Sequence, residues 1–145
     1  YQIGSTVGSA RRTATNSGAG RWNAVAVPGT FTAWSSGKPV NVAITEWSAA
    51  DTYEAVTSFS CSSGLYTSNK TTITWNSPSP GGIGSDTTAL RMVATHEFGH
   101  AYGLNHMSTT CNGTKTVMVQ GKTKWSCSWG TEPWQDDING VDAIY

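Results

Sequence analysis

The period of the apolar positions changes along the chain, and each change predicts a different element. Between residues 1 and 24, Ile3, Val7, Ala10 and Ala14 recur at near-helical spacing toward Trp22. That predicts a first helix, weakened by the glycines within it. From about residue 40 to 76 the texture turns to β-branched and aromatic runs. PVNVAITEW (39–47), AVTSFSC (55–61) and KTTITWNS (70–77) predict strands bounded by turn residues. SPSPGGIGSD (77–86) reads as a loop closing the strand series, and it ends on Ser85 and Asp86, two good helix N-cap types. In TTALRMVATHEFGHAYG, Leu90, Val93, Ala94 and Phe98 share one stripe of a helix of about four turns, with Gly103 as its stop. Residues 107–133 read as loop, broken only by the apolar TVMV. In PWQDDINGVDAIY, Trp134, Ile138, Val141 and Ile144 or Tyr145 return to helical spacing behind Pro133. Strands followed by helices predict an α+β, or mixed α/β, class.

The chain has 145 residues, enough for a single domain with its own core. Nine basic and nine acidic residues cancel, so no charge footprint points to nucleic acid or to an anionic membrane. No apolar run reaches membrane-spanning length. The first residue is tyrosine, which fits a processed mature form, and low charge with a Ser/Thr-rich surface fits export. The three cysteines, Cys61, Cys111 and Cys127, leave at least one thiol unpaired within the chain. They form neither a CxxC pair nor a Cys/His cluster, so they do not make a zinc site among themselves. Cys61 reads most simply as a buried apolar thiol at a strand end.

HEFGHAYGLNH (96–106) changes the picture, because it holds all three histidines of the chain. His96 and His100 are four residues apart on the predicted helix, so both leave one face about a turn apart. Two imidazoles so placed can bind one Zn²⁺ at about 2.0–2.1 Å. Glu97 lies roughly 100° around the helix from His96, beside the ion rather than on it, which suits a base acting on zinc-bound water. Gly103 can take the left-handed conformation at little cost, turning the chain so that His106 swings back as third ligand. Three protein ligands leave one position open, as catalytic zinc sites do. The combined HExxHxxGxxH pattern is far more specific than HExxH alone.

HExxHxxGxxH followed by a methionine-bearing turn resembles the metzincin clan of zinc endopeptidases. HEFGHAYGLNH and QDDINGVDAIY are each especially similar to the matrixin form, in which Gly99 and Gly103 also stand as glycines. The N-terminal two-thirds is similar only in element order. The resemblance implies a metzincin-type zincin: a twisted sheet with an antiparallel edge strand, a long active-site helix, a Met-turn and a C-terminal helix. It divides the single catalytic domain into subdomains 1–103 and 104–145. It implies a secreted, zinc-dependent endopeptidase with one catalytic Zn²⁺ on His96, His100 and His106, and Glu97 as general base. The substrates would be extended proteins or peptides. Met118, in KTVMVQG, would form the apolar floor of the Met-turn. The substrate pocket would fall on Met92, Val93, Gln120, Gly121 and Lys122, mainly apolar, with strand 70–76 as the sheet edge that pairs with substrate. The resemblance implies that one of Asp136 and Asp137 bonds the Met-turn, a structural role that falls to Asp137, while the other can receive the ammonium of Tyr1.

The chain also departs from the matrixin pattern. No histidine remains for a second, structural zinc, and no Asp/Gly-rich loop stands out for structural calcium. The link from His106 to Met118 is long and contains Cys111, while Cys127 follows the turn. A Cys111–Cys127 disulfide, with a snapalysin-like look, would brace this loop and favour an oxidising compartment. Cys61 bonded to either of them is the alternative. A monomer is the default. The competing class is a carbohydrate- or protein-binding module, to which Trp34, Trp47, Trp75, Trp125 and Trp129 could contribute stacking surfaces. Asn69 and Asn112 head NKT and NGT sequons.

Overall fold

A computed structural model describes residues 1–48, 52–62, 65–66, 71–77 and 79–145. Strand β1 (Gln2–Ile3) precedes helix α1 (Ser9–Asn23). Strands β2 (Val42–Trp47), β3 (Ala55–Ser58), β4 (Cys61–Ser62), β5 (Leu65–Tyr66) and β6 (Thr71–Asn76) follow. Helix α2 (Thr87–Ala101), a single-turn α3 (Thr123–Ser126) and α4 (Gln135–Asp142) complete the chain. The main sheet has the order β1-β2-β6-β3. Its first three strands run parallel, and β3 adds antiparallel to β6. β4 and β5 pair with each other. This is the α+β architecture expected, with its antiparallel edge strand.

The edge is not where the resemblance put it. β6, the expected edge at 70–76, is paired on both sides, with Ile73 opposite Ile44 of β2 and Thr57 of β3. Its backbone groups are therefore spent within the sheet. Thr71, Ile73, Trp75 and Asn76 are buried, as befits an inner strand. Among the described residues the outer strand on this side is β3, although it precedes β6 in sequence. Strand texture reports burial and gives no order, so the sequence pattern could not separate the two.

The first helix also begins later than the spacing of Ile3 and Val7 predicts. Ile3 belongs to the two-residue β1, opposite Ile44, and Val7 packs from the turn before α1. The buried face of α1 is Ala14, Thr15, Gly18, Ala19 and Trp22. Small residues let this face approach α2 closely. A Cβ on Gly18 would stand 2.7 Å from the Ala94 carbonyl carbon and 2.9 Å from the Thr95 nitrogen. Those are backbone atoms, which cannot rotate aside. A mid-helix glycine costs about 1 kcal/mol against alanine, and here the close approach offsets it. Gly18→Ala should therefore destabilise the protein by about 2 kcal/mol through overpacking, despite its better helix propensity. The midpoint of urea unfolding measures this, and an unchanged midpoint would show that the helices separate freely.

Ile44, Ile73 and Trp75 of the sheet share one buried cluster with Ala14, Ala19 and Trp22 of α1 and Leu90, Ala94 and Phe98 of α2. The fully buried indoles of Trp22 and Trp75 keep their donors satisfied. Trp22 Nε1 donates to Thr95 O at 2.8 Å, and Trp75 Nε1 to Thr15 Oγ1 at 3.1 Å. α2 is thus clamped between sheet and α1, and it carries the site on its remaining face.

Candidate active site

α2 starts where the sequence predicts. Asp86 Oδ1 accepts from Ala89 N at 2.8 Å, capping the first turn. At the other end Gly103 has φ +98°, and Gly103 N and Leu104 N close onto His100 O and Gly99 O at 2.9 and 3.1 Å. This left-handed exit reverses the chain within three residues. It brings His106 back to His96 and His100, as the glycine spacing predicts.

The three Nε2 atoms lie 3.1–3.2 Å from one another. His96 Nδ1 donates to Val117 O at 2.8 Å and His100 Nδ1 to Leu104 O at 2.7 Å. In a neutral imidazole a proton on Nδ1 leaves a lone pair on Nε2. Burial pushes both imidazoles below their ordinary value, that of His96 strongly, and so favours the neutral form. Facing lone pairs repel unless a cation lies between them. A tetrahedral zinc with bonds of about 2.0–2.1 Å would set its nitrogens about 3.3–3.4 Å apart. The donor set therefore fits one zinc ion on His96, His100 and His106.

Glu97 is buried beside this cluster, and its Oε2 accepts from Thr57 Oγ1 of β3 at 2.7 Å. Burial pushes its carboxyl up to about 7, partly countered by the Thr57 hydrogen bond and the Lys124 charge. Thr57 was not legible as a site residue, because its partner comes from another element.

Below α2 the chain crosses at Thr116–Val119. Met118 is buried against Gly99, where an added Cβ would run into the Met118 sulfur and approach Trp22. Met118 thus sits under the helix between its two histidines. Met107 N donates to Met118 O at 3.0 Å, joining the strands of this crossing. Asp137, buried in α4, accepts from Thr116 Oγ1, from Val117 N at 3.0 Å and from Trp134 N at 2.8 Å. Asp136 is exposed. The Tyr1 ammonium donates to Thr32 O at 2.6 Å rather than to either aspartate.

Cys111 and Cys127 are joined by a disulfide across 16 positions of sequence. The side chain of Cys61 lies outside the described residues, as does the sequon asparagine Asn69. The segment expected to be loop holds α3 in addition to the bridge at Met107 and Val119.

A cleft of about 620 Å³ runs along the histidines and Glu97. Met92, Val93, Gln120, Gly121 and Lys122 all line it, so the expected pocket residues are brought together. β3 forms the opposite wall through Ala55, Val56 and Thr57. The lining is mainly apolar, as expected, but it also includes a buried cation. Lys124 of α3 is only 7 % exposed, and its Nζ donates to Val117 O and Val119 O at 3.2 and 3.3 Å. The tryptophans form no common platform. Trp75 and Trp129 are buried, Trp125 lines this cleft and Trp34 a separate hollow near Tyr1.

A triad of histidines beside an edge strand, with a buried methionine beneath the helix, is the arrangement of the metzincin class of metallopeptidases. The sequence pattern of the family described as Matrixin matches residues 45–145, more than two-thirds of the chain, and the protein belongs to that family. It is accordingly a zinc metalloendopeptidase, a hydrolase of peptide bonds. A search of the curated proteins gives no match.

Proposed function

We propose that the protein is a secreted endopeptidase that lays an extended polypeptide along β3 and cleaves it with Glu97 as general base. The observation that carries this reading is the convergence of three Nε2 atoms, two of them fixed as lone-pair donors, in the cleft that also holds Glu97. His96, His100 and His106 would hold the ion. Bound zinc supplies Lewis acidity to the scissile carbonyl and acidity to a water molecule. Glu97 takes a proton from the attacking water and returns it to the departing amine. Thr57 fixes the carboxylate that does so. The outer edge of β3 offers backbone donors and acceptors to the substrate in the manner of an added strand.

Met118 serves as the floor beneath the ligands, and Met92, Val93, Gln120, Gly121 and Lys122 shape the pocket. Residues 1–103 and 104–145 act as the two walls of one monomeric catalytic unit. The disulfide and the sparse, balanced charge support a destination outside the cell. Purified protein should contain about one zinc per chain, as a three-histidine catalytic site does, and should cleave unstructured protein substrates. A chelator should abolish cleavage and added zinc restore it. Zinc-loaded protein that cleaves nothing, or protein that takes up no zinc, would overturn the reading.

A further inference from the structure

The mechanism makes no use of Lys124, although burying its ammonium is costly. Burial pushes it down to about 8, so it still carries its charge at neutral pH. An ammonium has three N–H donors. Val117 O and Val119 O account for two of them, at 3.2 and 3.3 Å. Both acceptors are neutral carbonyls. The ion pairs among the described residues are Arg11–Glu46 and Arg21–Glu132, so no described carboxylate lies within 4 Å of Lys124 Nζ. Glu97 and Asp137 act on it only from farther off. A buried charge whose direct partners are neutral carbonyls is an expensive arrangement, and this one lines the cleft that holds the histidines. Met92 and Val93 line the same cleft, and the ammonium is itself buried, so a polar contact formed there is stronger than one at the surface.

We propose that Lys124 makes the pocket beside the metal centre selective for an acidic side chain on the residue that follows the scissile bond. A glutamate entering the cleft would supply a direct counter-ion and accept the third ammonium hydrogen. An aliphatic side chain of the same length would leave that hydrogen unpaired and the charge uncompensated. The bond is charge-assisted on both sides and shielded from solvent, which places it among the stronger hydrogen bonds. Lys122, which is exposed at the mouth of the same cleft, adds a second positive charge on the approach. Lys124 is thus a specificity-determining residue, and the assignment rests on the endopeptidase reading above.

The test is a set of peptides that differ only at the residue after the scissile bond, carrying Glu, Gln or Leu there, given to zinc-loaded protein. The expected kcat/KM for Glu exceeds that for Leu by about tenfold or more, with Gln between them. In Lys124→Met that order should invert. The same peptides should bind the Glu97→Ala protein, followed by calorimetry, in the order Glu, Gln, Leu, a readout independent of turnover. Equal or better cleavage of the Leu peptide by the unaltered protein overturns the proposal. So does a Glu-to-Leu ratio unmoved by Lys124→Met, which would leave the ammonium as a tie between two carbonyls. If Lys124→Met does not fold, the unaltered protein's preference and the Glu97→Ala binding order decide the matter. Failure to cleave any peptide overturns the endopeptidase reading itself, and this inference with it.

Discussion

Glu97→Ala is expected to lower kcat/KM for peptide hydrolysis by about a thousandfold, within the range that a positioned general acid–base supplies, while bound zinc remains. The two effects separate because the candidate ligand set is the three histidine nitrogens, whereas Glu97 Oε2 is held by Thr57 Oγ1 and lies outside that set. Among the described residues, one other carboxylate lines the cleft. Glu54 is occupied by Ser79 Oγ, at 2.6 and 2.7 Å from its two oxygens, which holds it against the loop before α2. Substitution of Glu97 therefore leaves no replacement poised to act. Turnover and zinc content measured on the same preparation check this. Activity retained within tenfold would move the base elsewhere, with Glu54 the first alternative to examine.

Asp137→Ala should cost about 3 kcal/mol of stability, in the range for a broken buried hydrogen-bond network. The carboxylate holds Thr116 Oγ1 and the amides of Val117 and Trp134, and Thr116 Oγ1 in turn accepts from Met118 N at 2.9 Å. Removing it strands several buried donors at once. The damage should reach the metal centre as well, since Val117 O is the acceptor that orients His96. Outer partners of this kind tune metal affinity. Chemical unfolding of the metal-free protein and zinc titration of the folded variant measure the two consequences. Asp136→Ala is the control. Asp136 is exposed one position earlier in the same helix, and its loss should stay within about 0.5 kcal/mol. Equal effects at the two positions would reduce both aspartates to helix-dipole partners.

The histidine cluster was legible because its geometry is local. A 3.6-residue period fixes His96 against His100, and one glycine at +98° fixes the return of His106. Asp86 as cap and the final helix were readable for the same reason. What escaped depends on pairing across the chain. β1 is two residues long, too short to show alternation, so Ile3 was absorbed into a helical pattern. β3 and β6 could be recognised as strands, yet which lies outside is decided by chain crossing and not by either sequence. Thr57 meets Glu97 only once β3 is set against α2. Lys124 falls in a stretch with no sustained period, and the turn that buries its ammonium is built from carbonyls, which carry no sequence signal.

The Cys111–Cys127 bridge divides the cleft into halves with different vulnerabilities. His100 is oriented by Leu104 O and His106 by the turn at Gly103, both outside the cross-linked span, whereas the Val117 carbonyl that orients His96 lies inside it. The lining segment from Gln120 to Trp125 lies wholly inside the cross-linked span. A reductant should therefore blur which side chains the enzyme accepts more than it lowers the capacity to hydrolyse them. Discrimination among substrates would then be the property most sensitive to the redox state of the surroundings.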